Sequence, residues 1–348
     1  MKTESHEYDA KFEVLRGNVP LCTLRAESGS APNVSFSGDA EIKMTFSGEF
    51  SGIPENVNFL RDQLRPYLMI DGVLYPAGRF VVTTPDEEIS ESDRRVFKVT
   101  GYDLLYLAKT SVLEIRPCYP AGTLYTDLVE RLLVESGISE YTITPSDAAL
   151  TTTREDWEVG TDRLTILNQL LSEINYQSAW MDLDGRVHAE PAKSALIQDV
   201  RWSYRHGEKG VLLPGWSREV DVFGVPNVFI VRVENPDYPD VMQVTVEDTD
   251  PESPTSIVNI GRRIVSVETL DNIASYAHLE AYAKNLALRK RIASEVVTFE
   301  SRLEPGHGAG DILSLARPGM FGVFSETSWS MDLGYNGAMV HTAKRVIL

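Results

Sequence analysis

Two segments near the middle of the chain carry apolar residues at helical spacing, and both follow a Gly-Thr pair. Residues three or four positions apart share one face of a helix, and these faces consist of Leu124, Leu128 and Leu132 in the first segment and Leu164, Leu167, Leu171 and Ile174 in the second. Thr123 and Thr161 suit the N-cap positions, and Gly137 suits the end of the first helix. The pattern predicts two amphipathic helices packed on each other or on a small sheet. Their similarity is either an internal repeat or the result of common capping and packing needs.

The residues before these helices instead alternate in short runs that are typical of antiparallel strands. The predicted strands are Lys11–Leu15, Val19–Arg25, Val34–Phe36, Ile42–Phe46, Tyr67–Ile70, Val73–Tyr75, Arg79–Thr83 and Arg95–Thr100. Asp71-Gly72 suits the positive φ angles of a tight turn, and the acidic segment Asp86–Asp93 is predicted to be a hairpin tip. The pattern predicts a β-barrel or a strongly curved sheet with little helix.

After the helices, the chain returns to strands. A hairpin about Asp184-Gly185 is predicted first. Later strands are predicted at Val228–Glu234, Val241–Glu247, Val296–Leu303, Asp311–Leu315, Gly322–Ser325 and Ala338–Leu348. A long helix is predicted to begin near Asp271, with one side formed by Ile273, Tyr276, Ala277, Leu279, Ala283 and Leu286. These elements predict an α+β, mainly β fold with three domains at 1–112, 113–195 and 196–348.

Composition and net charge limit the classes of function that the chain can have. The chain has 348 residues and a net charge of −18, which argues against sequence-specific nucleic acid binding and against anionic membrane surfaces. No apolar run reaches the roughly 20 residues that cross a bilayer, and the first residues do not resemble a signal peptide. Cys22 and Cys118 are expected to be packing residues in a reducing compartment. The acidity suits either simple solubility or a surface that must not bind a passing polyanion.

Each candidate for chemistry is weaker than its structural alternative. Asp182–Gly185 resembles the start of a calcium loop, but Arg186 stands near the position of the next ligand, so a hairpin is expected. Gly306–Asp311 is expected to be a flexible β-turn, because a strand follows it where a phosphate loop needs a helix. The six histidines show no pair at metal-ligand spacing, and no nucleophile motif is present. We therefore expect no catalytic residue, no cofactor and no metal site.

The order of these motifs resembles the late control protein D group, the hub proteins of phage tails, baseplates and contractile injection systems. The resemblance rests on the hairpin YLMIDGVLYPAGRFVVT, the strand entering VTGYDLLYLA, and the two helices that lead to AWMDLDGRVHAEP. The last helix with its basic end and the turn at Gly310-Asp311 also fit. The likeness covers almost the full length of the chain.

The resemblance implies two tail-tube-like β-barrel domains with a small α/β domain inserted between them. Three copies would form a homotrimeric ring whose six barrels adapt a hexameric tail tube to a trimeric spike or tip. The implied partners are the tail tube or distal tail protein above, spike, tail-tip or fibre proteins below, and the tape-measure protein in the bore. DNA would be ejected through that bore, and the chain would belong to a virion or phage-like particle assembled in the bacterial cytoplasm.

An acidic bore would repel DNA phosphates, so partner or lumen contact is assigned to Asp86, Glu87, Glu88, Glu91 and Asp93. Alternatively, these acidic residues form an ordinary solvated hairpin tip. Two other functions stay open. One is a receptor- or carbohydrate-binding tip protein that uses aromatics such as Trp202, Tyr204, Trp216 and Trp329. The other is a cell-wall-degrading enzyme.

Overall fold

The computed structural model describes residues 6–89, 95–193, 195, 198–207, 210–220, 224–235, 242–292, 295–334 and 336–346. Strands dominate this part of the chain, and short helices occur mainly in its middle and near residue 280. The predicted mainly β, α+β class is therefore confirmed.

A closed six-stranded antiparallel barrel forms the N-terminal part. Its strands are β1 (Tyr8–Arg16), β2 (Val19–Ala26), β4 (Met44–Ser51), β5 (Gln63–Ile70), β7 (Phe80–Ile89) and β8 (Arg95–Asp103). The pairings run β1–β2–β4–β8–β7–β5 and return to β1. Closure leaves no free sheet edge within this ring. Phenylalanines fill the interior, with Phe12, Phe46, Phe50 and Phe80 all buried.

Tight turns set the strand register where the sequence predicts them. Asp71 and Gly72 have φ angles of 50° and 78°, so they join β5 to β6 (Val73–Pro76) in the expected hairpin. The acidic tip is shorter than predicted, because β7 continues to Ile89 and its last residues pair with β8. Asp86, Glu87 and Glu88 therefore lie in a strand, and Glu91 and Asp93 lie outside the described residues.

The middle of the chain is a small α/β unit. Its helices are α1 (Leu105–Thr110), α2 (Tyr125–Glu135) and α3 (Arg163–Glu173), and its strands are β9 (Tyr141–Ile143), β10 (Trp180–Met181) and β11 (Val187–Ala189). The predicted leucine faces of α2 and α3 are buried, apart from Leu124, which stands at the N-cap. Gly137 follows the end of α2 with φ at 81°, as expected.

The predicted threonine caps are wrong. Thr123 Oγ1 donates to Pro120 O at 2.7 Å. The N-cap residue of α2 is Leu124, whose side chain makes no capping hydrogen bond. Asp162 caps α3 instead, because its carboxylate accepts from Thr165 N at 2.8 Å. A carboxylate also suits the positive end of the helix dipole.

A second strand layer forms the C-terminal part around its own core. Its strands are β12 (Trp202–Arg205), β13 (Leu212–Val220), β17 (Glu295–Arg302), β18 (Ile312–Arg317), β19 (Met320–Asp332) and β20 (Ala338–Arg345). They pair in the order β13–β17–β20–β19–β18–β12. The sequence did not identify β12 or β13. Tyr204, Phe299, Leu313 and Phe324 lie in the core that this layer encloses.

A smaller sheet stands beside this layer. It comprises β14 (Val228–Val233), β15 (Met242–Glu247) and β16 (Val265–Leu270), with the short helix α4 (Ile257–Ile260) before β16. The helix α5 (Tyr276–Ile292) packs on it through Leu279, Ala283 and Leu286. This helix begins at Tyr276 rather than near Asp271. Tyr276 itself is exposed, contrary to its predicted place on the buried side.

One strand joins the two halves of the molecule. The strand β3 (Asn33–Ser37) pairs with β4 on one side and with β19 on the other, both antiparallel. Phe36 stacks on Trp329 across this junction, with ring centroids 5.9 Å apart. The N-terminal barrel and the C-terminal layer therefore share one continuous sheet of 14 strands.

Candidate functional sites

The acidic end of the β7–β8 hairpin projects from the N-terminal barrel. Residues 85–89 are all exposed, so both faces of this end of β7 meet solvent. Lys98 Nζ lies 2.8 Å from Glu88 Oε1, and Arg95 Nε lies 3.3 Å from Glu87 Oε1. The Glu88 hydrogen bond raises the pKa of Lys98. Arg95 and Lys98 of β8 thus neutralise part of the negative charge at this end of β7.

A buried cluster of His307, Glu326 and His341 lies within the C-terminal layer. His307 belongs to the loop between β17 and β18, Glu326 to β19 and His341 to β20, and none is more than 2% exposed. Glu326 Oε2 lies 2.7 Å from His307 Nδ1, and Glu326 Oε1 lies 2.6 Å from His341 Nδ1. One carboxylate therefore joins two imidazoles inside an otherwise apolar core.

Each imidazole is held on its other edge by a hydroxyl. His307 Nε2 lies 3.0 Å from Tyr204 OH, and His341 Nε2 lies 2.8 Å from Ser301 Oγ. Aromatic rings also cover the cluster, since Trp202 stacks on His307 and Phe299 stacks on His341. Both histidines are thus fixed in orientation.

Burial decides the charge of the cluster. Burial lowers the pKa of His307 to about 4 and also lowers the pKa of His341, although the Glu326 hydrogen bond opposes the second shift. Burial raises the pKa of Glu326 to about 7 against the opposing bond from His341. The low-dielectric interior disfavours the charged form of all three groups.

The loop at Gly306–Asp311 contains a turn at residues 309–310, and the Asp311 side chain anchors it. Asp311 Oδ2 accepts from Gly308 N and from Trp202 Nε1, each at 2.9 Å. Asp311 Oδ1 accepts from Arg201 Nη1 at 3.0 Å. Because His307 lies inside this loop, its glycine-rich composition concealed a buried residue. Short-range spacing along the sequence does not reveal the cluster, because its three residues are distant in sequence and meet only in the tertiary structure.

The other sequence candidates are not brought together. Trp329 and Tyr204 are buried, whereas Trp216 is 40% exposed, so these aromatics do not form one exposed platform. Asp182 and His188 close the predicted hairpin through a 2.7 Å contact. The cysteines are both free, and Cys118 is exposed rather than packed as expected.

An open cleft of about 870 Å³ lies where the barrel, the α/β unit, α5 and the C-terminal layer meet. Its wall carries both signs of charge, including Lys43, Arg289 and Asp311, and it reaches Glu326. A smaller cavity of about 230 Å³ reaches His307. Among the helices of the described ranges, none has the length and apolar character to span a bilayer.

Comparisons with known proteins identify the fold. No family model and no curated protein matches the sequence. A tail protein from Neisseria meningitidis MC58 has a TM-score of 0.68 at 12% identity, covering 97% of each chain. The 43 kDa tail protein of prophage MuSo2 from Shewanella oneidensis has a TM-score of 0.66 at 11% identity, covering 97% of this chain and 98% of that one.

An E. coli component of the type VI secretion system, described as similar to the T4 bacteriophage tail proteins gp27 and gp5, is also similar to this chain. Its TM-score is 0.53 at 12% identity, covering 92% of this chain and 76% of that one. The chain therefore has the fold of phage and phage-like tail proteins. The resemblance inferred from the sequence is confirmed at this level.

Proposed function

We propose that this chain is a structural, non-enzymatic subunit of a phage-like tail, and that it forms the hub ring at the tip or baseplate. The observation that carries the proposal is the closed N-terminal barrel joined through β3 to a second strand layer. Its fold is that of the tail proteins described above. The three-part division at 1–112, 113–195 and 196–348 belongs to this proposal.

Geometry supports a trimer. Three copies of a chain with two strand layers supply six layers, which allows a trimeric ring to match a hexameric tube and a trimeric spike. Closed point-group symmetry is the common arrangement of homo-oligomers. In this proposal the tail tube or distal tail protein lies above the ring, spike, tip or fibre proteins lie below, and the tape-measure protein and DNA pass through it. The chain is then part of a virion or phage-like particle.

The exposed strand β13 is the surface that we assign to contact between copies. Within the described residues it pairs with β17 on one edge only, and residues 214–220 are all exposed. Trp216 and Val220 stand in this segment. An uncovered edge strand with apolar side chains tends to pair with another chain, so a neighbouring copy would protect it.

The acidic hairpin is assigned to the lumen or to a tail partner. Asp86, Glu87 and Glu88 project on an arm that is exposed on both faces, and the proposal extends to Glu91 and Asp93 on sequence grounds. The net charge of −18 agrees with a channel that does not retain DNA. The four aromatic residues of the carbohydrate-binding alternative, all within the described part of the chain, do not form one exposed platform.

Native mass spectrometry and cryo-electron microscopy of purified tail tips test the proposal. We expect three copies in one ring, and we expect Val220→Lys to release monomers because it places a charge on the β13 surface. Val258→Lys on α4 is the control, since Val258 is similarly exposed but lies away from β13. A ring with another copy number in assembled tips contradicts the trimer. A trimer unaffected by Val220→Lys contradicts the β13 contact.

A further inference from the structure

The arrangement of lone pairs around Glu326 points to a cation. A hydroxyl has one proton to donate, and a backbone carbonyl can only accept. Ser301 Oγ donates to Arg302 O at 2.8 Å, so Ser301 Oγ accepts from His341 Nε2–H. In a neutral imidazole the other nitrogen then carries a lone pair. His341 Nδ1 therefore faces the Glu326 carboxylate with a lone pair, at 2.6 Å.

His307 is arranged in the same way. The Tyr204 hydroxyl lies 3.0 Å from His307 Nε2, the ring nitrogen that points away from Glu326. When the Tyr204 oxygen accepts from His307 Nε2–H, a neutral His307 carries its lone pair on Nδ1. His307 Nδ1 then presents its lone pair to Glu326 Oε2 at 2.7 Å.

In this arrangement two imidazole lone pairs face one carboxyl group. One proton on Glu326 serves only one of the two imidazoles. Two imidazolium ions would be costly, because burial disfavours charged histidine. A metal ion satisfies all three groups at once, and two imidazoles with a carboxylate are a donor set that zinc accepts.

We propose that His307, Glu326 and His341 bind one divalent transition-metal ion of the zinc class. Their ligand atoms all lie within 4.8 Å of one another, whereas two ligand atoms of a tetrahedral zinc ion stand about 3.4 Å apart. The most distant pair of ligand atoms must therefore approach by about 1.4 Å at most. His307 lies on the loop between β17 and β18, whereas the other two ligands lie in paired strands.

The supporting groups match those of metal sites. Histidine ligands usually bond a second group through the nitrogen that does not bind the metal, as Tyr204 and Ser301 do here. Glu304 and Asp311 act on His307 as nearby negative charges, and Arg201 is the opposing positive charge. The ion would tie the loop to β19 and β20.

Calorimetric titration of the full-length, chelator-treated protein with Zn²⁺ tests the site. We expect one ion per chain, and we expect affinity to fall by about 100-fold or more in Glu326→Gln and His341→Asn, because each removes a ligand. His188→Asn is the matched control, since His188 also contacts a carboxylate but lies outside the cluster. Its affinity for Zn²⁺ should equal that of the wild type.

Cobalt(II) provides a readout that needs no variant. The wild-type protein should develop a visible absorption band that saturates at one equivalent and is displaced by Zn²⁺. If the wild type takes up neither ion stoichiometrically, the cluster holds only protons and the metal proposal is wrong. Equal binding by folded Glu326→Gln, or loss of binding in His188→Asn, overturns the proposal as well.

Discussion

The N-terminal barrel and the C-terminal layer have interiors of different chemistry. Phe12, Phe46, Phe50 and Phe80 fill the first, and their ring centroids approach to between 5.1 and 6.1 Å. The second surrounds a carboxylate and two imidazoles with aromatic rings. The first core depends on apolar burial and packing, whereas the second also depends on hydrogen bonds in a region of low dielectric constant.

The difference teaches that strand geometry constrains shape more than it constrains core composition. A fully apolar core tolerates changes of pH and metal content. A core with a polar cluster is stable only while every member is satisfied, since an unpaired buried polar group is costly. Mutations can therefore separate the two cores.

The largest effect should follow from Phe46→Ala in the N-terminal barrel. Truncation leaves a cavity against Phe12, Phe50 and Phe80, and we expect a loss of about 3–5 kcal/mol in the free energy of unfolding. Urea denaturation at two pH values, with and without Zn²⁺, measures it. The loss should be the same under all these conditions. The control is Phe321→Ala, because Phe321 is 75% exposed. An equal loss in both variants would contradict the packing argument.

A smaller effect should follow from Ser301→Ala in the C-terminal layer. This change leaves His341 Nε2 without its hydroxyl partner, which should cost about 2 kcal/mol in the free energy of unfolding. The same change should weaken Zn²⁺ binding by about tenfold. Ser314→Ala on β18 is the control, because its hydrogen bond to Ser203 is exposed. If both serine variants unfold alike, the cluster does not depend on its hydroxyls.

The smallest effect concerns Asp103, a fully buried carboxyl group at the N-terminal barrel. Its carboxylate accepts from Met44 N at 2.8 Å and from Leu105 N at 2.9 Å, but burial raises its pKa to about 6. A raised folded-state pKa stabilises the protein below the unfolded-state value, near 4, and this contribution disappears as the pH rises through about 6.

We therefore expect the stability difference between wild type and Asp103→Asn to fall by about 1.4 kcal/mol from pH 5 to pH 7.5. Urea denaturation of both proteins at each pH measures it, and the variant cancels the pH dependence of all other groups. A difference that is constant with pH would show that Asp103 titrates normally in the folded protein.

Local patterns determined much of the secondary structure. The turn at Asp71-Gly72, the end of α2 at Gly137 and the buried faces of α2 and α3 depend on neighbouring residues, so periodicity and φ preference suffice to predict them. The overall mainly β class and the likeness to tail proteins follow from the order of such elements. The strands β9, β12, β13 and β16 were missed. Of these, β13 is largely exposed and β16 is half-exposed, so neither has a clear buried alternation.

Only the tertiary structure decided which distant residues meet. Barrel closure joins β1 to β5, and β3 joins the N-terminal barrel to β19 near the end of the chain. Asn33 Nδ2, for example, donates to Asp332 Oδ1 at 2.7 Å across this junction. The cluster of His307, Glu326 and His341 has the same origin. Sequence spacing reports neighbours along one element, whereas these contacts arise from strand pairing and from burial in a shared core.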